Sequence, residues 1–225
     1  MYEFACGPLL WISLALFVAG FIYRATRLFR LTEEKRAQFC QVTAKKDAPA
    51  PGVSAEEQKL EKIARFNNSV LARHPVMVIV SAVFHLCLAL PVLFLMAHNI
   101  LIAKSIGLRL PSVPDGLADF MTIVVLACGL FFLVRRIAVP KVAAISSSDD
   151  YGALFLTMMP FLTGFLAHHQ LFDYKTVLTI HAFAGDIVLI ALPFTKIGHM
   201  VFFFFARFAL GGEHCIGRGN RIWST

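Results

Sequence analysis

The sequence predicts an all-α integral membrane protein: a bundle of five transmembrane helices, N-terminus outside and C-terminus inside. Three observations predict it. Of 225 residues, 58% are hydrophobic and 16% charged, whereas a soluble domain carries about a quarter charged residues. The apolar residues lie in five long blocks, the pattern of a polytopic membrane protein. Lys and Arg are concentrated in alternate loops, the signature that sets membrane orientation. Net charge is +7; its placement beside apolar blocks points to a membrane surface and gives no reason to expect nucleic acid.

The first block, about residues 8–23, follows a segment without Lys or Arg and precedes Arg24, Arg27 and Arg30. A cleaved signal peptide carries its positive charge ahead of the apolar run, so this block reads as a retained helix starting outside. Residues 31–74 form a cytoplasmic connector. Within it Ala48-Pro49-Ala50-Pro51-Gly52 reads as a linker. Ser54-x-x-Glu57 reads as a capping box opening a short helix with Leu60, Ile63, Ala64 and Asn67 on one side. A helix lying on the inner membrane surface and a solvated connector are both open. The remaining blocks, about 75–102, 117–134, 151–166 and 177–206, each cross ~30 Å of hydrocarbon at about 1.5 Å per residue, the fourth only just. Residues 207–225 form a cytoplasmic tail, so that 1–225 is a single membrane domain without internal repeat. Residues 24–75, 135–150 and 196–225 hold 18 of the 21 Lys and Arg, while the opposite side has only Lys104, Arg109 and Lys175. Cys6, Cys40, Cys87, Cys128 and Cys215 form no Cys-x-x-Cys pair, which leaves no zinc ribbon, iron–sulfur run or c-type haem attachment.

The histidines carry the functional information. Four of the eight lie inside apolar blocks: His85 and His98 in the second, His181 and His199 in the fifth. Ionisable groups in lipid are costly and usually functional, and neutral imidazole is an axial ligand of haem iron. His181 and His199 are eighteen residues apart. On one helix that is five turns, which puts them on one face about 27 Å apart. Measured from the inner boundary, His199 lies about 12 Å deep and His85 about 15 Å, with His98 at about 35 Å and His181 at about 39 Å. A metal centre between antiparallel helices needs ligands at one depth, so the histidines pair as His85 with His199 and His98 with His181. Thirteen residues separate His85 from His98, an offset of about 140° on an ideal helix. Pro91 lies between them as the expected place for a bend. His74, at the boundary, is the alternative to His85.

The run from His181 to His199, containing Pro193-Phe194-Thr195-Lys196, resembles the last span of the respiratory nitrate reductase gamma-subunit family. Phe84-His85 and Arg135-Arg136 followed by Ser147-Ser148-Asp149-Asp150 also resemble it. The likeness extends over the five-span core, and the longer second-span spacing is closer to relatives in the transmembrane redox complexes of sulfate reducers. It implies a subunit holding two haem b groups. His85 and His199 would ligate the inner iron, His98 and His181 the outer, and Lys196 would face a propionate. It further implies electron exchange with menaquinone and a cytoplasmic iron–sulfur partner, in a bacterial or archaeal cytoplasmic membrane. Lys104, His168, His169 and Asp186 are candidate quinone contacts; Asp186 falls about 140° from the His181 face. No nucleophile–base set is present, so the chain is read as an electron-transfer subunit, not an enzyme alone. Two other classes remain open: a haem-free membrane anchor, and a His/Asp proton-coupled transporter, against which the lack of paired broken-helix repeats counts.

Overall fold

The computed structural model describes residues 1–47 and 70–200, with residues 54, 56, 59, 60, 63, 64 and 67 between them. It is all-helical, and among the described residues five helices are long and apolar enough to cross a membrane: Tyr2–Leu28, Pro75–Phe94, Asp115–Ala138, Ser148–His168 and Tyr174–Ala191. Only 17% of each apolar window is buried within the chain. Side chains such as Ile79, Leu86, Phe120, Leu130 and Phe155 are therefore exposed, as lipid contact requires.

Two compact units divide the chain. One comprises Met1–Val18 and Ile79–Ile197, the other Ala19–Val78 and Gly198–Thr225. In the first unit the fifth span packs on the fourth, the fourth on the third, and the N-terminal turns on the fifth. Phe84 and Cys87 of the second span, Val125 of the third and Phe161 of the fourth form its core, ringed by Leu88, Met121, Phe132 and Met158. Gly129 lets the third and fourth spans approach: a Cβ there would overlap the Met158 thioether. Small residues at such crossings allow the close packing on which helix association in lipid depends. Cys6, Cys87 and Cys128 carry free thiols.

The helix Leu10–Asp47 runs on from the first span into the region expected to be a connector. His74 stands outside the helix at the start of the second span, its carbonyl accepting from the Val78 N–H at 3.2 Å. Glu56, Lys59, Leu60, Ile63, Ala64 and Asn67 are helical and exposed; Glu57 of the expected capping box lies outside the described residues. The linker 48–52, Cys215 and the tail 207–225 lie outside the described residues.

Two spans differ from the continuous helices expected. The second ends at Phe94 and a separate helix, Met96–Ile106, follows. Pro91 is inside the first piece, but the break falls four residues later, at Leu95, whose ψ of 136° is extended. Leu95 pairs with Val113 of the following loop, and the Phe94 carbonyl accepts from the Val113 N–H at 2.9 Å. The loop thus takes an acceptor the helix would have used. In the fifth span, helix stops at Ala191. Leu192–Thr195 turn, and a 3₁₀ turn covers Lys196–Gly198. Pro193 has no N–H to continue the ladder and its ring crowds the preceding turn; the Phe194 and Thr195 N–H groups both go to the Ala191 carbonyl. His181 and His199 therefore do not share one straight helix, and the five-turn spacing fails for that reason. Residues 201–206 of the expected span lie outside the described residues.

Candidate functional site

The break at Leu95 re-aims His98. On an unbroken helix it would sit about 140° from His85. Its own helix, Met96–Ile106, instead presents it to the fifth span, where its ring lies parallel to that of His181, planes 4° apart and centroids 6.0 Å apart. The pairing of His98 with His181 is the one expected from depth.

Each ring is oriented through the same nitrogen. His181 Nδ1 donates to the Pro160 carbonyl at 2.9 Å and lies 3.2 Å from the Thr163 hydroxyl oxygen. That hydroxyl in turn donates to the Met159 carbonyl at 2.8 Å. His98 Nδ1 lies 3.0 Å from the Val92 carbonyl and 3.2 Å from that of Pro91. Both imidazoles thus lie within reach of the carbonyl of a proline inside a helix. A carbonyl acceptor fixes the proton on Nδ1 and leaves Nε2 as the nitrogen with a lone pair, the arrangement of a metal-ligating histidine. Gly164 makes the room: a Cβ on it would stand 3.1 Å from His181 Cε1.

These residues fit the group the histidines suggest. Two metal–imidazole bonds of about 2 Å each, plus half the width of each ring, come to about 6 Å. A centroid separation of 6.0 Å with parallel planes is compatible in distance with one metal ion held between the two rings.

His85 and His199 fall in different units. His85 is half-buried beside Phe84, ring centroids 5.4 Å apart, and its Nδ1 is 2.6 Å from the Ser81 carbonyl of its own helix. It has the same nitrogen engaged as His98 and His181. His199 is exposed, just after the 3₁₀ turn.

The other expected residues are dispersed. Lys196 reaches Asp150 at 2.9 Å and the Ser147 hydroxyl at 3.0 Å, so this ammonium is engaged by the N-terminal end of the fourth span. Asp150 also accepts from the Ser147 N–H at 2.9 Å and lies 3.8 Å from Arg136, tying the third, fourth and fifth spans together. Lys104 lines a cleft of about 530 Å³ with Met96, Asn99, Ile100 and Arg109. His168 and His169 end the fourth span beside Asp119. Asp186 is 3% exposed and Ser13 of the first span is fully buried; among the described residues neither Asp186 Oδ2 nor Ser13 Oγ has a hydrogen-bond partner. Of the four candidate quinone contacts, only Lys104 lines the cleft.

Thr163, Gly164 and Asn99 were not singled out in the sequence. Asn99 is buried and its amide donates to the Leu110 and Pro111 carbonyls at 3.2 and 3.0 Å and to Ser112 at 2.8 Å. A polar Asn one residue after His98 in an apolar block was the available signal. Pro160, midway along the fourth span, was another.

Helices, exposed apolar faces and the histidine pair define a multi-pass helical membrane protein. The chain is 33% identical over 221 residues to a protein of Nitratidesulfovibrio vulgaris (strain Hildenborough), spanning 98% of this chain and 96% of that one. It belongs to the same family as that protein. No protein-family model matches the chain, and no solved structure matches it.

Proposed function

We propose that the chain is the membrane-embedded dihaem b-type cytochrome subunit of a respiratory redox complex, in a bacterial or archaeal cytoplasmic membrane. It relays electrons between menaquinone or menaquinol near the outer face and an iron–sulfur partner at the basic inner face. The N-terminus is outside and the C-terminus inside, following the bias of 18 of 21 Lys and Arg to one side. One observation carries the reading: His98 and His181 are parallel at 6.0 Å, each with Nδ1 committed to a backbone carbonyl.

When bound, haem supplies a reversible one-electron couple whose potential follows from its axial ligands, their hydrogen bonds and burial. His98 and His181 would hold the outer haem, and on the sequence reading His85 and His199 would be the ligands of the inner one. The Pro160 carbonyl and Thr163 fix the His181 tautomer and raise the basicity of its ligating nitrogen. Extended Leu95 aims His98. Lys104, in the cleft on the helix that bears His98, donates a hydrogen bond to a quinone carbonyl. Lys196 holds the fourth and fifth spans together through Asp150. Terminal substrate chemistry belongs to other subunits.

The test is a reduced-minus-oxidised spectrum of the purified protein. Two b-type haems are expected. His98→Ala and His181→Ala each remove the same haem and spare the other, which His85→Ala and His199→Ala remove. Absence of b-type bands overturns the reading in favour of a haem-free anchor. Retention of both haems in the His98 and His181 variants refutes the ligand set.

A further inference from the structure

At the C-terminal end of the fourth span, three side chains converge that the electron-transfer reading does not use. Ligand atoms of Asp119, His168 and His169 all lie within 4.8 Å of one another. His169 Nε2 is 3.0 Å from Asp119 Oδ1. Consecutive residues of an α-helix point about 100° apart, so two adjacent imidazoles do not ordinarily close on one point. They do so here because the helix ends at His168. His169 is the C-cap, and Gln170 takes φ 50°, the left-handed position usually given to glycine. The turn is closed by two bonds, Leu171 N–H to the Leu166 carbonyl and Gln170 N–H to the Ala167 carbonyl, both 3.2 Å. Asp119 then approaches from the first turns of the third span.

The electrostatics favour a cation. The helix terminus presents the negative end of the fourth-span dipole, and among the described residues no Lys or Arg pairs with Asp119. Two imidazoles and a carboxylate suit a borderline divalent ion of the Zn²⁺, Ni²⁺ or Cu²⁺ type. Three protein ligands leave further coordination positions to water.

We propose that Asp119, His168 and His169 form a divalent transition-metal site that clips together the ends of the third and fourth spans. His168 and His169 each give one ring nitrogen and Asp119 one carboxylate oxygen.

The site is tested with Zn²⁺ alone, on the full-length, tag-free protein in lipid nanodiscs. The protein is stripped with chelator, equilibrated with Zn²⁺ and assayed for bound metal and by chelator competition. One tightly held Zn²⁺ per chain is expected. Asp119→Asn, His168→Ala and His169→Ala should each weaken it at least about tenfold, while His74→Ala leaves it unchanged. Helical circular dichroism and gel filtration report whether each variant is folded. Failure of the wild-type protein to retain Zn²⁺ would reduce the cluster to a His169–Asp119 ion pair and overturn the proposal. Undiminished binding in a folded Asp119→Asn/His168→Ala double variant would also overturn it. Neither outcome bears on the haem spectrum.

Discussion

Enlarging Gly164 probes how firmly the His181 ring is placed. A Cβ at this position stands 3.1 Å from His181 Cε1 and 3.4 Å from Nδ1, where ordinary contact is 3.4–4 Å. In Gly164→Ala the ring must therefore yield by a few tenths of an ångström. It has little freedom to do so, because Nδ1 is tethered to the Pro160 carbonyl at 2.9 Å and faces Thr163 at 3.2 Å. The added methyl strains those bonds and turns the ring from parallel alignment with His98. Overpacking a well-filled site costs about 1–3 kcal/mol; alanine should sit at the lower end, and valine, with two further methyls, at the upper. The assay is a thermal melt in detergent together with low-temperature electron paramagnetic resonance of the oxidised protein. On the dihaem proposal, Gly164→Ala should shift the signal of one low-spin haem and Gly164→Val should abolish it, the second haem staying unchanged in both. A Gly164→Val protein that melts like wild type, with both signals intact, would refute the packing reasoning.

Asn99→Ala leaves the acceptors on Leu110, Pro111 and Ser112 without their donor, and should destabilise the protein by about 1–3 kcal/mol. Chemical melts and faster proteolysis of the 107–113 loop check it. Asp150→Asn should lower the melting temperature more than Lys196→Met. The first change weakens the links to Lys196, Arg136 and the Ser147 cap at once, and the second removes only one cation. At the start of the fifth span, the Thr176 hydroxyl, and then its backbone N–H, hold the Asp173 carboxyl below the usual carboxylate range. Its cap is fully effective above the ordinary carboxylate pKa of about 3.9 and is lost as pH falls through the lowered folded value. Asp173→Asn should flatten that acid limb of the stability profile, read from melts at falling pH.

Much of the fold was legible from composition and block lengths. Crossing hydrocarbon demands an uninterrupted apolar helix that satisfies its own backbone, and five such blocks yielded five spans. The first began earlier than expected, since Tyr2–Phe4 and the turn after it are also helical. His98 and His181 were legible because imidazole inside an apolar block has no structural reason as simple as packing. Less legible were the interruptions. Pro91 was the expected bend, but the helix breaks at Leu95, an ordinary residue, because Val113 offers a competing donor from the following loop. Pro193 did mark the stop of the fifth span, although the repeat from His181 to His199 suggested continuity. Thr163 and Gly164 gave no sign of bearing on His181, since contact between the fourth and fifth spans leaves no trace in either stretch of sequence.

Length and polarity along the chain, then, determined the number of spans and the residues to watch, since burial in hydrocarbon acts on each segment separately. Which imidazoles meet was decided only by tertiary structure. The His98–His181 pair depends on a break imposed by a loop, on a neighbouring helix lacking one Cβ and on the Val92 and Pro160 carbonyls that orient the two rings. Those interactions join residues remote along the chain, and no local pattern encodes them.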